Sequence, residues 1–254
     1  MIDIASGHAA IDRFLADGYL RVHGMSSRFA AAICGHIVRR QTELGVAGDI
    51  VEVGTFEGRF FIAMALGLAP GEHAYGIDLF NWPSERVYGR FLDNCAAAGL
   101  VRERFTAWKG DTRALPRDGL RTTLKVDKAR FIHIDGEHTN ECLGYDLELA
   151  HAVLHPSGII ALDDMLHPGY PALIVAVLDY LKRHPEMVVL CIVDREDITA
   201  AAKFLICRSD AVALYEQDLM TSFARFHYIV GGDVMDRLTL VLTPEPRMAD
   251  VGWD

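Results

Sequence analysis

The chain has 254 residues, 51% of them hydrophobic, and 35 acidic against 25 basic side chains give it a formal net charge of −10. This length suits one α/β domain with an additional cap but is short for two full domains. The negative charge and the lack of a Lys/Arg cluster argue against a nucleic-acid partner, so we expect a small-molecule ligand.

The cysteines and the N-terminus indicate the cellular compartment. The five cysteines are scattered without C-x-x-C spacing and their number is odd, which is typical of reduced intracellular thiols. The first residues lack the basic and apolar regions of a signal peptide, and no apolar run has the length of a membrane span. The sequence therefore predicts a cytoplasmic protein without a membrane partner.

The N-terminal residues have a helical pattern. Apolar residues recur at helical spacing at Ile11, Phe14 and Leu15, and again from Ser26 to Val38. We predict a helical cap over residues 1–47. The cap either covers a ligand, forms a dimer contact, or simply packs against the sheet.

The stretch from Asp49 to Gly58, D-I-V-E-V-G-T-F-E-G, reads as a strand, a glycine turn and the start of a helix. Its spacing fits neither the G-x-G-x-x-G dinucleotide fingerprint nor the P-loop, which makes a nicotinamide dehydrogenase a weak alternative. A carboxylate at Glu52 suits a ligand with an ammonium or sulfonium cation. The stretch resembles the first motif of class I methyltransferases, which use S-adenosylmethionine. The turn residues predicted to contact this cofactor are Glu52, Gly54, Thr55, Phe56 and Gly58.

Two further strand ends predict contacts with the same cofactor. A second strand ends at Asp78, where an acidic residue in a doubly wound sheet reaches ribose hydroxyls. A third strand, Phe105 to Lys109, is followed by Asp111, and the resemblance implies that this carboxylate accepts a hydrogen bond from the adenine amino group. The aromatic residues after the second strand either line a pocket or belong to the core: Phe80, Trp82 and Tyr88.

Carboxylates follow the next two strands. A fourth strand ends at Asp135 and a fifth ends in Asp163 and Asp164. Because the carboxyl ends of parallel strands converge, these three side chains can gather at one site. Their repulsion is relieved by a hard divalent cation, and an all-oxygen site without a nearby cysteine points to Mg²⁺, with Mn²⁺ or Ca²⁺ as substitutes. The alternative is that these residues cap a helix or stabilise a turn.

The segments H-I-D-G-E-H-T and I-I-A-L-D-D resemble those of metal-dependent small-molecule O-methyltransferases of the macrocin and novobiocin type. The resemblance implies that Asp135, Asp163 and Asp164 hold the metal, and Asp135 is also predicted to contact the cofactor. It implies that His138 or Glu137 is the base. We favour His138, which titrates in the right range, and treat Glu137 as the base or as a group that orients it.

The resemblance implies an α/β fold, a doubly wound, seven-stranded, mostly parallel Rossmann-like sheet over residues 48–210, with an antiparallel last strand. A sixth strand is predicted at Met187–Val193 and a seventh at Lys203–Cys207. His167 to Tyr170 follow the paired aspartates and are candidates for shaping the acceptor pocket. Residues 211–254 are predicted to form an extension, a helix plus a strand, that packs on the core and covers the site or builds a homodimer.

The predicted function is that of an S-adenosylmethionine-dependent O-methyltransferase acting on a small hydroxylated acceptor. Two other classes stay open: a hydroxylase of the cephalosporin type, which shares this fold and a similar acidic site, and a non-catalytic S-adenosylmethionine-binding protein. The presence of Glu52, Gly54 and Asp78 argues against the second, because a degenerate copy would tend to lose such residues. The sequence does not discriminate among sugar, phenol and polyketide acceptors.

Overall fold

A computed structural model describes residues 2–197, 199–228 and 230–245. The strands in chain order are β1 (Asp49–Val53), β2 (Ala74–Asp78), β3 (Phe105–Lys109), β4 (Ala129–Ile134), β5 (Leu154–Met165), β6 (Met187–Val193), β7 (Ala202–Arg208), β8 (Gly232–Val234) and β9 (Arg237–Leu242). The α-helices are α1 (Ala9–Asp17), α2 (Arg28–Glu43), α3 (Arg59–Ala65), α4 (Arg86–Ala97), α5 (Gly119–Thr122), α6 (Asn140–Val153), α7 (Leu173–Arg183) and α8 (Glu216–Ser222).

The strands form one sheet in the order β3-β2-β1-β4-β5-β7-β6-β9-β8. Strands β1 to β5 pair in parallel, and β7 runs antiparallel to both of its neighbours. The inner strands β1 and β4 are short apolar runs buried along nearly their whole length, which is typical of a parallel sheet covered by helices on both faces. The predicted mostly parallel, doubly wound α/β architecture is confirmed.

The predicted number of seven strands is wrong, because the described part of the chain forms a sheet of nine strands. The two additional strands come from the C-terminal segment. Strand β9 pairs in parallel with residues 191–193 of β6, and β8 returns antiparallel to β9. Leu240 and Leu242 are buried, so β9 supplies apolar side chains and hydrogen bonds to an edge of β6 that would otherwise be open. The predicted extension is thus partly a continuation of the sheet, and residues 246–254 lie outside the described residues.

The N-terminal helices belong to the core. Helix α2 starts at Ser27, whose hydroxyl accepts a hydrogen bond from the Ala30 N–H at 2.9 Å, and most of its 16 residues are buried. Both α1 and α2 contact α3 and join the same hydrophobic cluster. The predicted cap is therefore not confirmed as a separate layer. The loop between α1 and α2 does carry Met25 and Ser26 to the carboxyl edge of the sheet.

Gly54 allows the loops after β1 and β4 to approach each other. Its φ is +82°, and a Cβ atom added there would lie 1.8 Å from the carbonyl oxygen of Asp135. The Asp135 N–H in turn donates to the carbonyl oxygen of Val53 at 2.8 Å. No other residue type fits this junction, which brings the functional loops together.

Helix α4 begins at Arg86, and the preceding residue, Glu85, makes no side-chain cap hydrogen bond. Strand β5 begins at Leu154, directly after the end of α6. Such ends depend on tertiary contacts more than on local residue type.

The five cysteines are all buried and form no disulfide, as the scattered spacing predicts. Among the described residues, no helix combines the length and the apolar character needed to cross a membrane.

Candidate functional site

A cavity of about 530 Å³ opens at the carboxyl edge of the sheet. It lies where the loops after β1, β2, β3 and β4 meet, which is the usual ligand position in open α/β sheets. The loops contribute Gly54, Phe56, Asp78, Leu79, Asn81, Trp82, the residues from Gly110 to Arg113, and those from Asp135 to His138, and further walls come from Met25, Cys142, Asp146 and Tyr170. Of the aromatic residues proposed for a pocket, Trp82 and Tyr170 line it, whereas Phe80 is fully buried in the core.

Asp78 holds two turns at the mouth of this cavity. Its Oδ2 accepts a hydrogen bond from the Phe56 N–H at 2.8 Å, and its Oδ1 accepts one from the Phe80 N–H at 2.6 Å. Both phenylalanines have φ of +49°, a conformation that side-chain-bearing residues rarely adopt unless other contacts impose it. Each carboxylate oxygen retains a lone pair for a ligand hydroxyl.

Three residues predicted to contact the cofactor, Glu52, Thr55 and Gly58, do not line the cavity. Glu52 is 3% exposed and its Oε1 lies 2.7 Å from Nδ1 of His133, below the turn. Thr55 is buried, and Gly58 has φ of +91° at the start of α3, where a Cβ atom would lie 3.0 Å from the Phe91 ring. These residues pack behind the turn and fix its conformation. A local sequence motif cannot distinguish this structural role from contact with a ligand.

Asp111 lines the cavity, but its carboxylate already accepts hydrogen bonds from a neighbouring residue. Its carboxylate accepts hydrogen bonds from the backbone N–H, Nε and Nη2 of Arg113 at 2.9, 3.1 and 2.7 Å. These hydrogen bonds from Arg113 lower the pKa of Asp111. The Asp111 carboxylate is therefore hydrogen-bonded to a neighbour within its own turn.

Asp146, which the sequence reading missed, is the buried carboxylate of the same region. It is 2% exposed, lines the cavity, and its Oδ1 has no hydrogen-bond partner among the described residues. Burial raises the pKa of Asp146 to about 6. The sequence does contain a signal for a buried carboxylate here, because Asp146 lies three residues after Leu143 and next to Leu147, on the apolar stripe of α6.

Lys203 and Asp163 form a buried ion pair behind the cavity. Both are at most 8% exposed, and the ammonium of Lys203 contacts the Asp163 carboxylate directly. Lys203 Nζ also lies 3.0 Å from His133 Nε2 and 3.2 Å from Ser26 Oγ, and the Ser26 hydroxyl donates to Asp163 Oδ2 at 3.0 Å. Burial opposes the Asp163 charge, but Lys203 outweighs it and holds the pKa of Asp163 far below its usual range.

The ring of His138 lies between the carboxylates of Asp164 and Asp135, two of the three predicted metal ligands. Its Nε2 is 2.6 Å from Asp164 Oδ2 and 3.9 Å from Asp135 Oδ1, and its ring stacks on Tyr170 with centroids 4.1 Å apart. Burial works against a charged imidazole, but the two carboxylates outweigh it and raise the pKa of His138 to about 10. Partial burial and the charge of Asp163 raise the pKa of Asp135 to about 7. Glu137 is exposed at the cavity rim.

The three carboxylates predicted to hold a metal do not form one ligand set. Atoms of Asp135, His138 and Asp164 lie within 4.8 Å of one another, as do atoms of His133, Asp135 and Asp163, but no such group within the described ranges joins all three aspartates. Asp163 faces Lys203 and Asp164 faces His138. Since each of these two carboxylates already contacts a basic side chain, the residues do not fit a divalent cation held by Asp135, Asp163 and Asp164 together.

Comparisons with known proteins concern the domain and its fold. Residues 51–165 match the family model of a methyltransferase domain. No curated protein sequence matches the chain. The matched region runs from within β1 to the end of β5 and therefore includes the loops after β1, β2, β3 and β4.

Several solved structures share the fold. The O-methyltransferase NovP aligns over 73% of this chain and 81% of its own, with 16% identity and a TM-score of 0.60. An O-methyltransferase from Bacillus cereus, solved in complex with SAH, aligns over 79% and 91%, with 15% identity and a TM-score of 0.58. The TDP-rhamnose 3'-O-methyltransferase CalS11 aligns over 80% and 92%, with 18% identity and a TM-score of 0.56. The domain match confirms the resemblance to methyltransferases, and the chain shares the fold of these three O-methyltransferases.

Proposed function

Because residues 51–165 match a methyltransferase domain and the chain has the fold of O-methyltransferases, we propose that it is an S-adenosylmethionine-dependent O-methyltransferase acting on a hydroxyl group of a small molecule. One observation carries the proposal. A single cavity has the Asp78 carboxylate on one wall and His138, in contact with Asp164, on another. The Asp78 carboxylate suits the hydroxyls of a ribose, and His138 suits a reacting hydroxyl.

The cavity suits the cofactor in size and in donor chemistry. Its volume of about 530 Å³ falls within the roughly 300–1,000 Å³ common for small-molecule sites. The free lone pairs of Asp78 accept hydrogen bonds from the ribose hydroxyls. The phenyl ring of Phe56 and the indole of Trp82, with centroids 5.6 Å apart, form an apolar wall.

Asp146 is the better acceptor for the adenine amino group. The sequence predicts Asp111 for this role, but its carboxylate already accepts three hydrogen bonds from Arg113, whereas Asp146 has an oxygen with no partner. The unpartnered Oδ1 of Asp146 is a buried acceptor that needs a donor, because such a group is otherwise costly. Thr112 and Gly136 line the cavity beside it.

When bound, S-adenosylmethionine supplies an electrophilic methyl group on a sulfonium. In the proposed reaction His138 accepts the proton of the acceptor hydroxyl, the oxygen forms a bond to the methyl carbon, and the carbon–sulfur bond breaks, which yields a methyl ether and S-adenosylhomocysteine. Asp164 orients the ring through Nε2. Because Nε2 faces Asp164, Nδ1 is the nitrogen left to take the proton. Tyr170 fixes the ring plane by stacking.

No step of this mechanism runs through a divalent cation, because Lys203 already provides the positive charge beside Asp163 and Asp164 is in contact with His138. Release of S-adenosylhomocysteine together with a methylated product separates this function from a hydroxylase of the same fold, whose product gains an oxygen atom. A non-catalytic binding protein would bind the cofactor and release neither.

The cofactor site is tested by Asp78→Asn. The neutral amide loses charge-assisted hydrogen bonds to the ribose, so we expect S-adenosylhomocysteine to bind about 10- to 100-fold more weakly by calorimetric titration. Asp93→Asn, at an exposed position of α4, is the matched control and should bind like the wild type. Equal affinities for all three proteins would remove Asp78 from the site.

The pH dependence of turnover tests the base. Since the carboxylates raise the pKa of His138 to about 10, its proton-accepting form grows as the pH rises, and the rate in EDTA-containing buffer should increase from neutral pH toward pH 10. Asp164→Asn removes one of the two charges and should shift the rise downward by about 1–3 pH units. A rate that is already constant above pH 6 would point to a carboxylate base such as Glu137 instead.

A further inference from the structure

A second cluster of basic and acidic side chains lies away from the cavity. His151 is in the last turn of α6, His184 is the residue that ends α7, and Glu186 immediately precedes β6. Helices that connect parallel strands run opposite to them, so the ends of α6 and α7 lie at the amino edge of the sheet. The cavity opens at the carboxyl edge, and the two sites are independent.

The donor atoms of this cluster converge. Nε2 of His151 lies 3.7 Å from Oε1 of Glu186, and Nδ1 of His184 lies 3.8 Å from the same oxygen. The two imidazole rings are 4.1 Å apart, and one donor atom of each residue lies within 4.8 Å of the others. Ligand atoms of a tetrahedral zinc site are about 3.3 Å apart, so each of the two distances from an imidazole nitrogen to Glu186 must shorten by about half an ångström on binding.

The remaining nitrogen of each imidazole already has a partner. Nδ1 of His151 lies 2.9 Å from the hydroxyl of the buried Tyr180, and Nε2 of His184 lies 3.2 Å from both carboxylate oxygens of Glu148. Histidines that bind metals almost always donate their second N–H to such a group, which orients the ring and selects the tautomer. The cluster therefore has both the ligands and the groups that support them.

The supporting contacts and the exposure also suit a metal. Glu148 is also bound by Arg183 at 2.9 Å, which keeps that carboxylate in its supporting place. The three ligand side chains are 20–35% exposed, so an ion can enter from solvent.

We propose that His151, His184 and Glu186 form a zinc-binding site, with water as the fourth ligand, that ties the ends of α6 and α7 to the start of β6. Two imidazoles and one carboxylate form a ligand set that zinc favours, whereas Mg²⁺ and Ca²⁺ prefer oxygen ligands alone. The site is structural and lies outside the methyltransferase cavity.

The test is a titration of the tag-free, full-length protein with Zn²⁺ by calorimetry, together with absorption spectra of the Co²⁺-loaded protein. We expect one equivalent of Zn²⁺ per chain and the visible bands of tetrahedral Co²⁺. His184→Gln and Glu186→Gln should each weaken Zn²⁺ binding at least about 100-fold. Glu103→Gln, on an exposed residue, is the matched control and should bind like the wild type.

A further variant, Asp164→Asn, separates this site from the carboxylates of the cavity. It should retain the zinc stoichiometry and the Co²⁺ spectrum of the wild type. The proposal is overturned if wild-type protein binds no Zn²⁺ at micromolar concentrations, if Glu186→Gln binds as tightly as wild type, or if Asp164→Asn abolishes binding. None of these outcomes depends on methyl transfer, so they leave the proposed activity untouched.

Discussion

Replacing Lys203 by methionine is expected to lower the free energy of unfolding by about 3–5 kcal/mol, because it leaves the buried carboxylate of Asp163 without a cation. Lys203 is fully buried and its ammonium contacts Asp163 directly. Asp163 has a depressed pKa in the folded state, so the stability that the pair contributes is present at neutral pH and is lost as the pH falls through the acid range. Urea denaturation at pH 7 and at pH 3, below the pKa of an aspartate in the unfolded chain, measures both effects.

The double variant Lys203→Met/Asp163→Asn distinguishes loss of the pair from loss of packing. It removes both charges, so we expect it to recover a large part of the stability lost by the single variant. Lys128→Met, at an exposed lysine, should stay within about 0.5 kcal/mol of the wild type. If Lys203→Met is as stable as the wild type, or if the double variant is no better than the single one, the ion pair has been misassigned.

His138→Gln is expected to lower kcat by about 10²- to 10⁴-fold, the usual contribution of a general base. The amide roughly preserves size and polarity at the ring position, but it cannot accept the hydroxyl proton at any pH. The two proteins are compared near pH 10, where the proton-accepting form of His138 is well populated. The affinity for S-adenosylhomocysteine should change little, because Asp78 and Asp146 lie on other walls of the cavity. The measurement is S-adenosylhomocysteine release in the presence of a hydroxylated acceptor that supports turnover.

Glu137→Gln is the matched comparison for this variant. Glu137 is adjacent in sequence and exposed at the rim, so its replacement should reduce kcat less than about tenfold. A large loss of kcat in Glu137→Gln together with a small loss of kcat in His138→Gln would identify Glu137, rather than His138, as the base.

Residues at strand ends could be predicted from the sequence. Asp78 and the Asp135 to His138 segment each follow an apolar run directly, and Asp111 follows the glycine that ends the third strand. Because parallel strand ends meet at one edge of the sheet, the cavity contains the residues expected there. Local pattern does not say which way a side chain turns. Glu52 and Asp163 both face inward to a buried network, although their positions in the sequence suggested ligand contacts.

The partners of that network could not be predicted, because they are distant in sequence. Asp163 lies 137 residues from Ser26 and 40 residues from Lys203. The ion pair forms because β7 pairs antiparallel with β5, which sets Leu162 opposite Phe204. A lysine at the start of an apolar strand reads as a surface charge, and only the register of the sheet shows that it is buried.

The number of strands in the sheet could not be predicted from the sequence for a related reason. Strand β9 has an apolar pattern typical of any short strand, and nothing local indicates that it pairs with β6 rather than packing over the cavity. Edge pairing depends on which strand end is left open, a property of the assembled sheet.

The most direct test of the proposed function is a crystal structure of the protein with S-adenosylhomocysteine. We predict that the ligand occupies the cavity with its ribose hydroxyls on Asp78, its adenine amino group on Asp146 and its sulfur directed toward His138. A cavity that stays empty at saturating ligand, or a ligand bound elsewhere, would contradict the assignment of this site to methyl transfer.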